Sequence, residues 1–145
     1  MTTTAPRTTL TVRHHYTASA ERVFDAFLDP AKARRFMFAT PTGQMVRADI
    51  EARVGGRFTF VDRRDGEDVE HVGEYLELKR PQRLVFTIQV PKYSQEIDRV
   101  SIDIVPLGTG CELTLTHETA PAEAATLEGY KSGWTMILDN LAKAL

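Results

Sequence analysis

Residues 121–145, PAEAATLEGYKSGWTMILDNLAKAL, carry the pattern that decides the fold. Apolar side chains recur there at spacings of three and four, which predicts one long helix with a continuous apolar stripe. Gly129 and Gly133 interrupt this helix and indicate a place where its backbone closely approaches another group. A helix of this kind must cover the apolar face of a sheet. The predicted stripe consists of Leu127, Tyr130, Trp134, Ile137, Leu138, Leu141 and Leu145.

In six shorter segments between residues 44 and 117, apolar residues recur with a period of 2 instead of 3.6. This alternation is typical of strands. Glycine- and proline-containing turns separate neighbouring segments and predict local hairpins, hence an antiparallel meander. In the first segment the predicted inward set is Val46, Ala48 and Ile50. The segment at about 69–78 has two competing apolar faces, which suggests a β-bulge at Gly73.

The N-terminal part of the chain supplies one more strand and two short helices. Alternation over residues 10–16 predicts the strand. Ser19 can cap a helix through its hydroxyl, and the pair Asp29-Pro30 ends this helix and begins a second one. Residues 1–9 contain no apolar run and are expected to form a short disordered leader.

The order of elements is therefore one strand, two helices, six strands and a long final helix. This order predicts an α+β fold, in which a curved antiparallel sheet of about seven strands holds the C-terminal helix across its concave face. Residues 10–145 are expected to form a single domain, because this length suits one hydrophobic core and no linker divides it.

The composition narrows the possible partners and locations. A net charge of −2 argues against nucleic acid, since phosphate binding requires a concentrated basic surface. No apolar run approaches the ~20 residues that a membrane span needs, so no membrane partner is expected. The one cysteine, Cys111, excludes an intrachain disulfide framework. Together with the lack of a secretory signal, it predicts a cytoplasmic location.

Several short motifs occur in the order expected for a known superfamily. They are ASAERVFDAFLDP at 18–30, VGGRF at 54–58, GEYLEL at 73–78, PQRLVFT at 81–87, LTLTHE at 113–118 and GWT at 133–135. In this order they resemble the SRPBCC superfamily, also called START-like or helix-grip. Within it they are similar to the family of the activator of heat-shock-protein-90 ATPase homologue C-terminal domain. The resemblance extends over about residues 10–145.

The resemblance implies a hydrophobic cavity between the sheet and the long helix. Various members of the superfamily use this cavity for lipids, sterols, polyketides or aromatic molecules. Many relatives carry a paired-tryptophan segment followed by Pro and Gly after the second helix, whereas this chain has RFMFATPTG at 35–43. The identity of a relative's ligand is therefore not carried over to this chain.

The polar residues predict neither a catalytic constellation nor a metal site. His14 and His15 are adjacent on a strand and point to opposite faces, so they cannot ligate one metal together. His14 and His117 share the parity of apolar neighbours and are interpreted as buried, hydrogen-bonded imidazoles. The alternative is a polar contact inside a cavity, which His71 could also make. Gly55-Gly56 lies between two strands, so it is no phosphate loop, and no cofactor is predicted.

The aromatic residues allow two interpretations: either they fill the core, or several of them line a pocket. The predicted lining, aromatic and apolar residues with one histidine, comprises Phe36, Phe38, Met45, Phe58, Phe60, His71, Tyr75, Phe86, Ile88, Tyr130 and Trp134. The stretch 37–45 is rich in Thr, Pro and Gly and is expected to act as a mobile gate at the mouth of the pocket.

Three functions remain open at this point. The leading hypothesis is a protein that binds a small apolar or aromatic molecule without covalent chemistry, because no catalytic constellation is found. The second is a cyclase- or hydrolase-type enzyme with His14, His71 or Tyr75 as acid–base groups. The third is a stress-response module with a chaperone as partner. The sequence leaves open whether the protein is a monomer or a homodimer.

Overall fold

The structure is a computed structural model that describes residues 7–145. Residues 1–6 of the predicted leader lie outside the described residues, while Thr8 and Thr9 already belong to the first strand. The strands are β1 Thr8–Tyr16, β2 Gln44–Ile50, β3 Arg57–Arg64, β4 Glu67–Lys79, β5 Arg83–Ile88, β6 Asp98–Leu107 and β7 Gly110–Thr119. The helices are α1 Ala20–Leu28, α2 Pro30–Ala33 and α3 Ala124–Ala144.

The seven strands form one antiparallel sheet in the order β1-β7-β6-β5-β4-β3-β2. Strands β2 to β7 are therefore a meander, and β1 closes the far edge by pairing with β7. The predicted α+β fold, with two short helices after the first strand and a long C-terminal helix, is confirmed. Within residues 7–145, no helix is both long and apolar enough to cross a membrane.

Two caps fix the helices after β1. The Ser19 hydroxyl accepts a hydrogen bond from the backbone N–H of Arg22 at 3.3 Å, and Asp29 Oδ1 accepts from the N–H of Ala31 at 3.0 Å. Pro30 occupies the first position of α2, where its missing N–H costs nothing. These contacts follow the sequence prediction and place the apolar side of α1, including Phe24, in the core.

Two β-bulges determine which side chains point inward, and the sequence predicted neither position. The register of β2 shifts between Met45 and Arg47, so Val46 is the extra residue and is exposed rather than inward. In β4 the shift falls at Leu76, not at Gly73. Position 73 requires a glycine for a different reason, because a Cβ there would collide with the Phe58 ring and with a backbone carbonyl of β5.

Helix α3 has two unlike halves. In the C-terminal half (residues 134–144), Leu138 and Leu141 are fully buried, and the Tyr16 hydroxyl donates to the Leu138 carbonyl at 2.8 Å. In the N-terminal half (residues 124–133) the side chains are exposed, apart from half-buried Leu127. Tyr130, predicted to belong to the apolar stripe, is 38% exposed. The helix is therefore packed into the core at one end only.

The two glycines of the N-terminal half do not mark a close approach, contrary to the sequence prediction. A Cβ added at Gly129 or Gly133 would meet no atom within 4 Å. Both positions face open space, so their missing side chains leave room instead of allowing contact.

Candidate functional site

A cavity of about 560 Å³ lies between the N-terminal half of α3 and the sheet. Its walls come from α3, from strands β3 to β7, and from the segments that follow α2, β5 and β7. Apolar and aromatic side chains, among them Phe38, Ile88 and Ile137, form much of the lining. The size and character are those of a small-molecule site, in which a few polar groups interrupt a mostly apolar wall.

Phe38 forms the boundary between the cavity and the packed core. Its φ of 58° lies in the left-handed region, which a bulky side chain rarely adopts. This backbone turn directs the ring onto His71, with ring centroids 4.5 Å apart and planes within 10°, and brings it 5.7 Å from Trp134. Strain of this kind is of order 1–3 kcal/mol and persists only where the surroundings enforce it.

Hydrogen bonds from β3 enforce that turn. Arg64 donates from Nη2 to the Phe38 carbonyl at 3.0 Å and from Nε to Asp62 Oδ2 at 2.8 Å. The Thr40 hydroxyl donates to the same carboxylate oxygen at 2.8 Å. The segment after α2, expected to be a mobile gate, is thus tied to the sheet at two positions. Asp62 itself is 1% exposed, so these partners compensate a buried charge.

A chain of three side chains crosses the cavity wall from α3 to β6. Trp134 donates from Nε1 to His117 Nδ1 at 2.8 Å, and His117 Nε2 lies 2.8 Å from Asp98 Oδ2. An indole N–H can only donate, so Nδ1 must be the unprotonated nitrogen and Nε2 must carry the hydrogen that Asp98 accepts. The ring of Tyr130 stacks on His117 with centroids 5.3 Å apart. Both ring nitrogens of His117 are therefore occupied.

His71, on β4, is the second histidine of the cavity and has a different environment. The residue is 6% exposed, and its Nδ1 lies 3.3 Å from the carbonyl oxygen of Phe60. Burial, and after it the nearby positive charge of Arg64, lower its pKa to about 4. The imidazole is consequently neutral at physiological pH.

The structure brings together only part of the predicted lining. Phe38, His71, Ile88, Tyr130 and Trp134 all contribute to the cavity wall. The remaining six are Phe36, Met45, Phe58, Phe60, Tyr75 and Phe86, and none of them contributes to it.

These six residues belong to the packed part of the molecule. Phe36 packs edge-on against Phe27, with ring centroids 5.4 Å apart. Phe58 contacts the rings of Phe60, Tyr75 and Phe86, and this group fills the space between the sheet and Phe38. Half-buried Met45 packs against the same core.

Several cavity residues were not predicted as such. Arg64, Asp98 and Thr119 line the cavity together with the two helix glycines. His117 lines it as well, although a cavity contact was only the alternative interpretation for this residue. The parity of His117 with its apolar neighbours on β7 was the available signal for an inward position. No pattern in the sequence indicated that Asp98, at the start of β6, would meet it.

A seven-stranded antiparallel sheet that holds a C-terminal helix over an internal cavity defines the class of helix-grip proteins. A model of the family described as activator of Hsp90 ATPase homolog 1-like protein matches residues 17–145. The chain belongs to this family, as the sequence motifs predicted. No protein with a curated description matches the sequence.

Several solved structures share this fold. The chain is similar to protein CV1439 from Chromobacterium violaceum, with 26% identity and a TM-score of 0.83 over 93% of this chain and 94% of that one. Protein NE0264 from Nitrosomonas europaea is 18% identical, with a TM-score of 0.81 over 94% of this chain and 93% of that one. Protein Ms6760 from Mycobacterium smegmatis is 20% identical, with a TM-score of 0.79 over 97% of each chain. At identities of 18% and 20%, the similarity to the last two structures concerns the fold alone.

Proposed function

We propose that the protein reversibly binds a small apolar or aromatic molecule in the cavity beneath the N-terminal half of α3. The observation that carries the proposal is a cavity of about 560 Å³ with a mainly apolar lining. A volume of this size accommodates a molecule of two or three fused rings.

Gly129 and Gly133 add a second argument for an occupant. They are four residues apart, so both lie on one side of the helix, and both line the cavity. Glycine destabilises a helix interior by about 1 kcal/mol relative to alanine. No neighbouring atom requires either glycine, since an added Cβ would meet nothing within 4 Å. The two glycines destabilise the helix and leave room beside its backbone. This favours the interpretation that a ligand packs there.

The arrangement of polar groups favours binding over catalysis. Of the acid–base candidates His14, His71 and Tyr75, only His71 lines the cavity. His14 contacts Asp139 of α3 at 3.0 Å, and Tyr75 is buried in the core, where desolvation raises the pKa of its hydroxyl. His117 has both nitrogens engaged and cannot accept a substrate proton without losing the bond from Trp134. Among residues 7–145, the geometry offers places to orient a molecule and no nucleophile with a base beside it.

The description of the family brings a chaperone partner into consideration. It forms no part of this proposal, because the lining of the cavity gives no reason to expect a protein occupant.

Isothermal titration calorimetry with N-phenyl-1-naphthylamine, a neutral aromatic probe, tests the proposal. Leucines at both cavity glycines, Gly129→Leu/Gly133→Leu, fill the space and are expected to weaken binding at least about 10-fold. The matched control is Glu128→Leu/Ser132→Leu, the same pair moved by one residue to exposed positions outside the cavity. The control should bind as the wild type does. No heat of binding in the wild type, or unchanged binding by the glycine double variant, would refute the proposal.

A further inference from the structure

We infer that the ligand is a flat aromatic molecule with a hydroxyl or amine hydrogen, which it donates to Nε2 of His71. This inference rests on the proposed function and specifies the chemistry of its ligand. It depends on the geometry of His71, on the pairing of the other ring nitrogens in the wall, and on the charges around the cavity.

The hydrogen bond of His71 to the backbone determines which of its nitrogens is free. A carbonyl oxygen can only accept, so the Nδ1 atom that lies 3.3 Å from the Phe60 oxygen must carry the hydrogen. In a neutral imidazole the other nitrogen, Nε2, is then an acceptor. Among residues 7–145 no hydrogen bond to this atom is found. It is also not one of the fully buried side-chain atoms without a partner, which are Asp62 Oδ1 and Asp98 Oδ1. It is therefore accessible from the cavity that His71 lines.

Among residues 7–145, the other ring nitrogens of the wall are already paired. Trp134 donates to His117, and His117 donates to Asp98, so neither ring offers a nitrogen to a ligand. Thr119, 4% exposed in the same wall, carries a hydroxyl that can donate or accept. A ligand that donates to His71 would engage the one ring nitrogen of this wall, among residues 7–145, that has no hydrogen-bond partner.

The flatness of the ligand follows from the rings around His71. Phe38 covers one face of the imidazole in a parallel stack, so a donor can reach Nε2 only along the edge of the ring. Trp134 lies edge-on to Phe38 at 5.7 Å and forms the adjoining wall. A planar aromatic ring fits beside such surfaces with the most contact per atom.

The charges disfavour an anionic ligand. Arg64 is the cation of the inner wall, but its charge is compensated by Asp62, to which it donates at 2.8 Å. Asp98 adds a carboxylate to the lining, and its nearest cation, Arg7, is 3.7 Å away. A carboxylate on the ligand would lose its hydration without gaining a free partner.

Three naphthalene probes separate these requirements in calorimetric titrations at pH 7. 2-Naphthol offers an O–H donor, 2-methoxynaphthalene has the same ring system without a donor, and 2-naphthoate is anionic. In the wild type, 2-naphthol is expected to bind about 3- to 10-fold more tightly than 2-methoxynaphthalene, the usual range for one hydrogen bond. 2-Naphthoate is expected to bind most weakly of the three.

The variant His71→Phe keeps a flat ring against Phe38 and removes the acceptor. In this variant the advantage of 2-naphthol over 2-methoxynaphthalene should disappear, whatever the two absolute affinities are. Its circular dichroism spectrum, compared with that of the wild type, shows whether it is folded. His15→Phe, an exposed position on β1, serves as the matched control and should retain that advantage. If His71→Phe does not fold, the ¹⁵N shift of Nε2 in the wild type decides: 2-naphthol should move it and 2-methoxynaphthalene should not.

The outcomes distinguish this inference from the proposed function. Equal and measurable affinities for 2-naphthol and its methyl ether would overturn the inference and leave the proposed function standing. Tightest binding of 2-naphthoate would do the same. Failure of all three probes, together with N-phenyl-1-naphthylamine, would overturn both.

Discussion

The two halves of α3 share one apolar period but have different surroundings. The C-terminal half is packed against the sheet and the short helices, with Leu138 and Leu141 fully buried. The N-terminal half continues the pattern through Leu127 and Tyr130, yet Tyr130 is partly exposed. Beneath this half lies the cavity. The comparison teaches that periodicity identifies the face of a helix that points inward. It does not reveal whether that face meets side chains or a cavity.

The largest change in stability is expected when one leucine is truncated in each half of α3. Leu141→Ala should lower the free energy of unfolding by about 3–4 kcal/mol, because it leaves a hole among buried neighbours. Leu127→Ala, at a half-buried position, should cost about 1 kcal/mol. Urea denaturation followed by circular dichroism measures both. Equal losses would show that the N-terminal half is packed as firmly as the other.

Acid should lower the stability of the folded protein through the protonation of His71. The unfolded imidazole binds a proton near pH 6.5, whereas the folded one does so only near pH 4, because burial and Arg64 oppose its charge despite the nearby Asp62. The unfolded state therefore binds more protons between these values, and stability falls as the pH decreases through them. The expected loss attributable to His71 is about 2 kcal/mol by pH 4.5.

The measurement is the difference in unfolding free energy between the wild type and His71→Phe as a function of pH. The variant should be less sensitive to pH in this range. Parallel profiles would mean that the imidazole is already charged in the folded protein.

Two hydrogen bonds of α3, one in the packed core and one at the cavity wall, offer a finer comparison. Tyr16→Phe removes the bond to the Leu138 carbonyl, and Trp134→Phe removes the bond to His117. Each should cost about 1 kcal/mol, the usual net value for a single hydrogen bond. Thermal unfolding compares the two variants with the wild type. A loss above about 3 kcal/mol for Trp134→Phe would indicate that the cavity wall is part of the packed core.

The smallest expected effect has the opposite sign. Gly133→Ala should stabilise the protein by about 0.5–1 kcal/mol, because alanine favours the helix and its Cβ enters open space. Gly73→Ala is the contrasting control, since its Cβ would collide with Phe58 and the backbone of β5. Chemical denaturation gives both values. Destabilisation by Gly133→Ala would mean that a close contact exists at that position after all.

The sequence was sufficient to predict the elements and their order, because local signals specify them. Ser19 and Asp29-Pro30 act as the caps that their chemistry predicts, and alternation identified the strands. The bulge at Val46 was not predicted, and the bulge in β4 was predicted at Gly73 instead of Leu76, because only the partner strand defines which residue is extra. The inward turn of Phe38 escaped for a related reason: its positive φ depends on Arg64, which is distant in the sequence.

For the site, residue type indicated the aromatic character of the interior but not the division between core and cavity. Phe58 and Phe86 lie in the packed core because other rings cover them, whereas Trp134, which is also buried, lines the cavity. The pairing of Asp98 with His117 depends on the register of β6 against β7, which no single strand encodes.

The position of Trp134 gives the protein an internal optical reporter. It is the single tryptophan of the sequence, and its indole N–H is held by His117 at the wall of the cavity. Because indole emission responds to the polarity around the ring, replacement of water in the cavity by an organic molecule should shift the emission to shorter wavelength. Occupancy could then be followed in the unlabelled protein, and the background from other indoles would be zero.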